Sequence, residues 1–423
     1  MFRLSQLIAD ERNHQNNKRK INIMSTSTIQ ATTGSSTSAS PSNNLASKNG
    51  QAFILFDHDW LKLQSFITSC LQMPITTGDF ASKYGTFSDQ TLIDNCVTAM
   101  QSIQAMGTQM GDPSELRKKV EQDPNYLSGP TPPTELFGHC AWMAAQLSIA
   151  ASNFHDTWSD LKPMYMGNTP AQNKTLLDSL LTGSGGLKST AKTSLAQIQA
   201  LQGKLSSFQS TFSVAKKAIT KYCDQESQVI AAAKSAENVD TSAIATLTQQ
   251  ATEAHKKWED YTIAASTASI GIAVISMGIL WPVAAAVGGG LGAAAAAEMK
   301  TYNNLMGQIG SDNTDLSEKT RLVTDLTAFN LSLVNVDSYL SKFADKLATI
   351  EGVWLDQNTQ LTAIADLSAD KIGTYSGVVQ ATDLHNAMEE WKSIANNTNL
   401  FVTDSLVDYS DAIVYPTPVP SQG

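Results

Sequence analysis

Residues 198–223 read IQALQGKLSSFQSTFSVAKKAITKYC, and this stretch decides the fold. Ile198, Leu201, Leu205, Phe208, Phe212, Ala215, Ile219 and Tyr222 follow one another at steps of 3, 4, 3, 4, 3, 4 and 3 residues. An α-helix turns once in about 3.6 residues, so this alternation holds the apolar side chains on one narrow stripe. Such a stripe is a heptad seam, the mark of long helices packed side by side. Only Glu226 interrupts the register before Val229. The pattern predicts one helix from Leu187 to about Ala236, about 75 Å long at 1.5 Å per residue.

A second seam lies towards the C-terminus. Leu322, Leu326, Phe329, Leu333, Val336, Leu340, Phe343, Leu347, Ile350 and Trp354 repeat the same alternation. Shorter helical patterns surround the two seams. One covers Phe53 to Leu71 and ends before Pro74. A second carries Ile93, Cys96, Met100, Ile103, Met106 and Met110, and a third runs from about Thr134 to Lys162. A connection with Pro and Gly, roughly Gly111 to Pro133, separates the last two. Asp240 is an expected N-cap for a helix carrying Ile244, Leu247, Ala251, Ala254 and Trp258. After a short region from Gly373 to Thr382, a last helix is expected from Asp383 to about Tyr409. No alternating runs or Asn-Gly and Asp-Gly turns suggest strands. The expected architecture is all-α, an elongated antiparallel bundle of long helices forming a rod.

One segment does not belong to such a bundle. From Tyr261 to Ala297 the chain reads YTIAASTASIGIAVISMGILWPVAAAVGGGLGAAAAA without a charge, between Asp260 and Glu298. A spanning helix needs about 20 apolar residues, and Tyr261 to Trp281 meets that length. The shorter arm Val283 to Ala297 is mostly Ala and Gly. The pair reads as a helical hairpin in a head region, with Pro282, Gly288, Gly289 and Gly290 as turn residues. The candidate membrane-inserting residues are Ile263, Ile270, Ile272, Val274, Ile275, Met277, Ile279, Leu280, Trp281, Val283, Val287 and Leu291. Thr262, Ser266, Ser269 and Ser276 share a small, mildly polar helical stripe suited to packing or to a pore lumen. Trp281 suits a membrane interface.

The remaining segments set the organisation. Residues 1–50 are expected to be a disordered tail, because the Ser/Thr-rich tract after Met24 has little apolar surface to bury. Residues 51–260 and 298–410 form the bundle, 261–297 the hairpin, and the Pro-rich residues 411–423 an extended end. The N-terminus carries Arg3, Asp10, Glu11 and Arg12 within its first residues and lacks the apolar core of a classical signal peptide. Secretion or release without a classical signal peptide is therefore expected, with release by lysis and retention in the cytosol as alternatives.

Composition narrows the function. The chain has 423 residues and a formal charge of −10, and only 16% of its residues are charged. No basic cluster offers a phosphate-binding surface, which argues against nucleic acid as a partner. Cys70, Cys96, Cys140 and Cys223 form no CxxC pair and sit in apolar helical patterns, which predicts buried free thiols. His385 and Glu389 lie one turn apart beside Asp383, too few ligands for a metal site. No motif for a nucleophile, a zinc protease or a phosphate loop is present, so no catalytic, cofactor or metal residues are expected.

The combination of long heptad helices and a central apolar hairpin is similar to the cytolysin A-type α-helical pore-forming toxins. Local matches carry the resemblance further. Asn49-Gly50-Gln51-Ala52-Phe53-Ile54, then Trp60, then Leu71-Gln72-Met73-Pro74 resemble the opening helix of the xenorhabdolysin A and nematicidal crystal-toxin branch. Gly352-Val353-Trp354 and Trp391 fit the same branch. The resemblance implies a tail bundle, a head holding the hairpin and a ring-shaped self-oligomer in a target-cell lipid bilayer. For that branch it also implies a second toxin component. The function expected is a pore-forming cytotoxin, or one component of it, that stores the hairpin and then inserts it. The alternative is a non-toxic coiled-coil scaffold anchored in a membrane by the same hairpin.

Overall fold

A computed structural model describes residues 37–41, 45, 53–224, 226–235, 241–242, 245–246, 248–250, 253, 274–278, 281–285, 314–406 and 408–410. The chain divides into two compact units, Met1–Thr37 and Ser38–Gly423. Of the first, only Thr37 is among the described residues, and every described helix and strand belongs to the second.

In chain order its helices are α1 (His58–Leu71), α2 (Thr77–Tyr84), α3 (Gln90–Met110), α4 (Pro113–Gln122), α5 (Leu136–Met164), α6 (Pro170–Thr182), α7 (Leu187–Cys223) and α8 (Gln228–Lys234). They continue as α9 (Thr314–Ala365), α10 (Ala369–Ile372), α11 (Tyr375–Thr382) and α12 (Leu384–Asp404). Strands β1 (Val274–Gly278), β2 (Trp281–Ala285) and β3 (Asp408–Ser410) complete the described elements.

The two seams are the centre of the bundle. Every seam residue of α7, from Ile198 to Tyr222, is buried, and so is every one of α9 from Leu322 to Trp354. Burying a Leu or Phe side chain contributes about 1.5–3 kcal/mol, so these positions dominate the cohesion of the pair. The helices run antiparallel. Gln199 and Gln202 donate to Glu351 at 2.8 and 3.0 Å, while Lys216, further along α7, pairs with the earlier Asp337 at 2.6 Å. Helix α12 returns antiparallel along α5, with Ser148 Oγ donating to Ala395 O at 2.9 Å and His155 Nδ1 against Met388 O at 3.0 Å. Two aromatic clusters tie the layers together. Trp60 of α1 meets Phe137, Phe343 and Phe401 at 5.1, 5.6 and 5.2 Å between ring centres. Phe154, Trp354 and Trp391 join α5, α9 and α12, the closest pair being Phe154–Trp391 at 4.2 Å.

Several boundaries differ from the sequence expectations for local reasons. The first helix begins at His58 rather than Phe53, because the Asp57 carboxylate accepts the Trp60 amide as an N-cap. The long second element is not continuous to Ala236. Helix α7 ends at Cys223, and the Ser227 hydroxyl both donates to Tyr222 O at 2.8 Å and accepts the Ile230 amide that opens α8. The connection after Gly111 contains α4, started by the Asp112 cap and Pro113 in its first turn. A capping box of Thr169 and Gln172 starts α6, which the apolar pattern alone does not announce. Helix α12 stops at Asp404, and Asp408–Ser410 is strand. The expected cap Asp240 lies outside the described residues.

The thiols are as expected. Cys70, Cys96, Cys140 and Cys223 are free and buried. Burial pushes all of them up, Cys96 to about 12. Residues of the Ser/Thr tract also contact the bundle. Ala39 and Leu45 are buried, and Ile54 N–H donates to Leu45 O at 2.9 Å.

Candidate membrane-inserting segment and its neck

The described part of the apolar stretch is extended, which corrects the helical hairpin. β1 and β2 pair antiparallel with Val274 opposite Ala285 and Gly278 opposite Trp281. The chain therefore reverses between Gly278 and Trp281, ahead of the expected turn. Pro282 is a strand residue facing Met277 across the ladder. Val274, Ile275, Met277, Trp281 and Val283 lie in these strands, and so does Ser276. A strand repeats every two residues, so the helical stripe drawn through Ser276 does not exist there. The cause is legible afterwards: β-branched Val274 and Ile275 favour extended backbone, and Gly278 and Pro282 weaken a helix. A pair flanking a two-residue reversal is hydrogen-bonded, and the next pair is not. Pro282, with no N–H to give, falls in that next pair on an edge strand, where it costs no ladder bond.

β1 is the middle strand of the order β2-β1-β3. It pairs parallel with β3, Val274 opposite Asp408 and Ser276 opposite Ser410. The apolar stretch is thus joined by a backbone ladder to the segment that follows α12. That segment is itself anchored: Trp60 Nε1 and Gln64 Nε2 both donate to Ser405 O, at 3.0 and 2.8 Å, and Arg117 Nη1 donates to Leu406 O at 3.3 Å. Thr262, Ile263, Ser266, Ser269, Ile270, Ile272, Ile279, Leu280, Val287, Gly288, Gly289, Gly290 and Leu291 lie outside the described residues. Among the described residues no helix is long and apolar enough to cross a membrane.

A buried polar neck sits where α9 begins, and sequence reasoning missed it. Lys83 Nζ pairs with Asp325 Oδ2 at 3.2 Å, and the Tyr84 hydroxyl donates to the same oxygen at 2.9 Å. Both members of the ion pair are buried, Asp325 completely. Lys319 Nζ donates to Tyr84 O at 3.0 Å and Thr86 O at 2.8 Å, and lies 3.8 Å from the centre of the Phe87 ring. Arg321 Nη1 donates to Lys83 O at 3.4 Å. The Lys83 and Tyr84 carbonyls end α2, so the cations of α9 meet the negative end of that helix. Gly85, at φ 75°, closes α2, and a side chain there would run into Glu318 and come within 2.9 Å of Lys319 Nζ. Thr324 Oγ1 reaches Thr248 Oγ1 at 3.5 Å, which links α9 to the helical residues that precede the apolar stretch.

Electrostatics in the neck follow from burial. Loss of hydration lowers the Lys83 ammonium to about 8, although Asp325 pulls it back up. The same loss raises the Asp325 carboxyl above its ordinary range, against Lys83 and the Tyr84 hydroxyl. Asp325 Oδ1 has no hydrogen-bond partner among the described residues. The pair is desolvated and incompletely satisfied, the condition in which a buried ion pair adds least to stability and is most damaged by losing one member.

No family model matches the sequence, and no curated protein matches it. Solved structures do. The cytotoxin MakB from Vibrio cholerae matches with a TM-score of 0.51 at 12% identity, covering 86% of this chain and 93% of its own. The HblL1 toxin component of Bacillus cereus covers 83% and 94% at 15% identity with a TM-score of 0.49. SmhA of the tripartite α-pore forming toxin of Serratia marcescens covers 83% and 92% at 14% identity with a TM-score of 0.41. The chain shares its helical fold with MakB. In this fold Thr248 and Thr324 bracket the apolar stretch in the chain, and the neck lies on the C-terminal side of that bracket and on α2.

Proposed function

We propose that this protein is a pore-forming cytotoxin, or one component of one, that inserts residues 261–297 into a target-cell bilayer and oligomerises there. One observation carries the reading. An uncharged stretch of this length lies within a chain of toxin fold, and its described part is held by short strands on a backbone ladder. Five-residue strands reach about 17 Å, whereas a spanning strand needs about 9–11 residues. Insertion therefore requires the ladder to be given up. As a helix, Tyr261 to Trp281 would span about 30 Å, the thickness of the hydrocarbon core. In that form every backbone N–H and C=O is satisfied within the segment, as lipid demands. Asp260 and Glu298 would then stay at the interface.

The test is dye release from liposomes and lysis of red cells. Replacing Ile270→Asp and Val274→Asp together places two charges in the bilayer core, each costing about 2.5–3.5 kcal/mol. Lysis should vanish while the helical circular dichroism and melting of the bundle persist. Lysis that survives the double replacement sinks insertion by this segment. Assay of the chain alone and with a second component separates a self-sufficient toxin from a shared one.

A further inference from the structure

Among the described residues of the Ser/Thr-rich tract, Ser38–Pro41 makes the most hydrogen bonds to the bundle. Ser38–Pro41 lies over α9, α11 and α12, and its backbone is read almost atom by atom. Ser38 N–H donates to Gln360 Oε1 at 3.2 Å, and Ala39 N–H donates to Thr382 O at 2.8 Å. Ala39 O accepts Trp391 Nε1–H at 2.9 Å, and Ser40 O accepts Gln357 Nε2–H at 2.8 Å. The Ser40 hydroxyl donates to the Glu390 carboxylate, and Ser40 N–H turns back to Ser38 Oγ at 3.1 Å. Ala39 is 0% exposed, so a charged side chain at this position would have to leave water.

The groove is built for this occupant. Gln357 and Trp391 are both 0% exposed, and among the described residues these two donors are bonded only to the segment's carbonyls. Without the segment, both donors would have to find water in place of these carbonyls. Trp391 also belongs to the aromatic cluster with Phe154 and Trp354, so the segment seals the junction of α5, α9 and α12.

We propose that α9, α11 and α12 form a peptide-binding groove for an extended Ser-Ala-Ser-Pro segment, and that residues 38–41 are its tethered, exchangeable ligand. The net worth of one hydrogen bond is of the same order as the entropy lost in fixing one residue. A segment that buries only small side chains, Ala39 and Pro41, therefore docks by a modest margin, closed about ten times as often as open. Pro41 eases docking by restricting the free chain beforehand. The segment opens and closes without unfolding the bundle, and an identical peptide can replace it.

The proposal is independent of membrane insertion and is tested in buffer on the full chain. Ala39→Glu displaces the segment, because its carboxylate would be buried there without a partner. A fluorescein-labelled peptide of residues 34–44, GSSTSASPSNN, is titrated by anisotropy against the wild type, A39E and A39E/Q357A. The expected order is binding to A39E at least about tenfold tighter than to the wild type, whose own segment competes, with a tenfold or greater loss in the double variant. Hydrogen exchange on the wild type gives the second measurement, and it does not depend on any variant folding. The amides of Ser38 and Ala39 should exchange more slowly than in the urea-unfolded chain and faster than those of α12. Equal binding to all three proteins, or none, overturns the groove. Amides 38–39 that exchange in step with α12 overturn exchangeability, and amides as fast as in the unfolded chain overturn docking.

Discussion

Helix α9 packs in two different ways along its length. From Leu333 to Trp354 it offers one buried apolar stripe, chiefly to α7, and keeps its polar residues outside. In its first turns it is buried with Lys319, Thr320, Thr324 and Asp325 facing inwards beside α2. The apolar half coheres by area alone and tolerates a modest shift of its partner. The polar half depends on particular atoms meeting: Lys83 on Asp325, Tyr84 on the same carboxylate, Lys319 on the end of α2. One half of the helix is glued and the other half is latched, and the latched half is the one next to the apolar stretch in the chain.

The comparison can be broken by substitution. Asp325→Ala leaves Lys83 buried without its partner and should cost about 3–5 kcal/mol in urea unfolding. The double change Lys83→Met and Asp325→Leu should recover most of that loss, because removing both charges also removes the desolvation they suffer. A double variant as unstable as the single one would mean that the pair is not a latch. Leu340→Ala, in the seam, should cost about 2–5 kcal/mol, with no recovering partner. His139 sharpens the contrast through pH. It is 5% exposed, neither ring nitrogen has a partner among the described residues, and burial, aided by Lys204, lowers it to about 4. The folded chain then holds fewer protons than the unfolded one between about 6.5 and 4, so stability falls as pH drops through that window, by up to about 3 kcal/mol. His139→Leu should flatten that part of the pH profile of thermal melting. The smallest effect belongs to Asp57→Ala, which removes the α1 cap and the ion pair with Lys346, about 1 kcal/mol.

The glued half is legible in the sequence because period alone fixes it. Each of the seam positions from Ile198 to Tyr222 and from Leu322 to Trp354 is buried as its spacing requires. The short helices α2, α4 and α6 are not legible, since fewer than about four turns give little periodicity and their caps decide them. The latched half is hidden for another reason. Which charged residues of α9 turn inwards depends on where α2 ends, and nothing local to Lys319 or Asp325 tells of it. In the apolar stretch, composition marks the segment but leaves its conformation open. An uninterrupted apolar run suits a buried strand as well as a helix, and periodicity cannot choose between them. The same holds for Ser38–Pro41, whose composition suggests a free tail while its backbone has specific acceptors and donors waiting for it.

The buried thiols have a practical consequence. All four cysteines of the chain are shielded and held far from the thiolate that reagents attack. The molecule is silent toward maleimides under mild conditions. A single cysteine introduced anywhere between residues 261 and 297 becomes the one addressable thiol without any native cysteine being replaced. A polarity-sensitive dye placed there, position by position, reports whether that stretch enters lipid, in a protein otherwise left as nature wrote it.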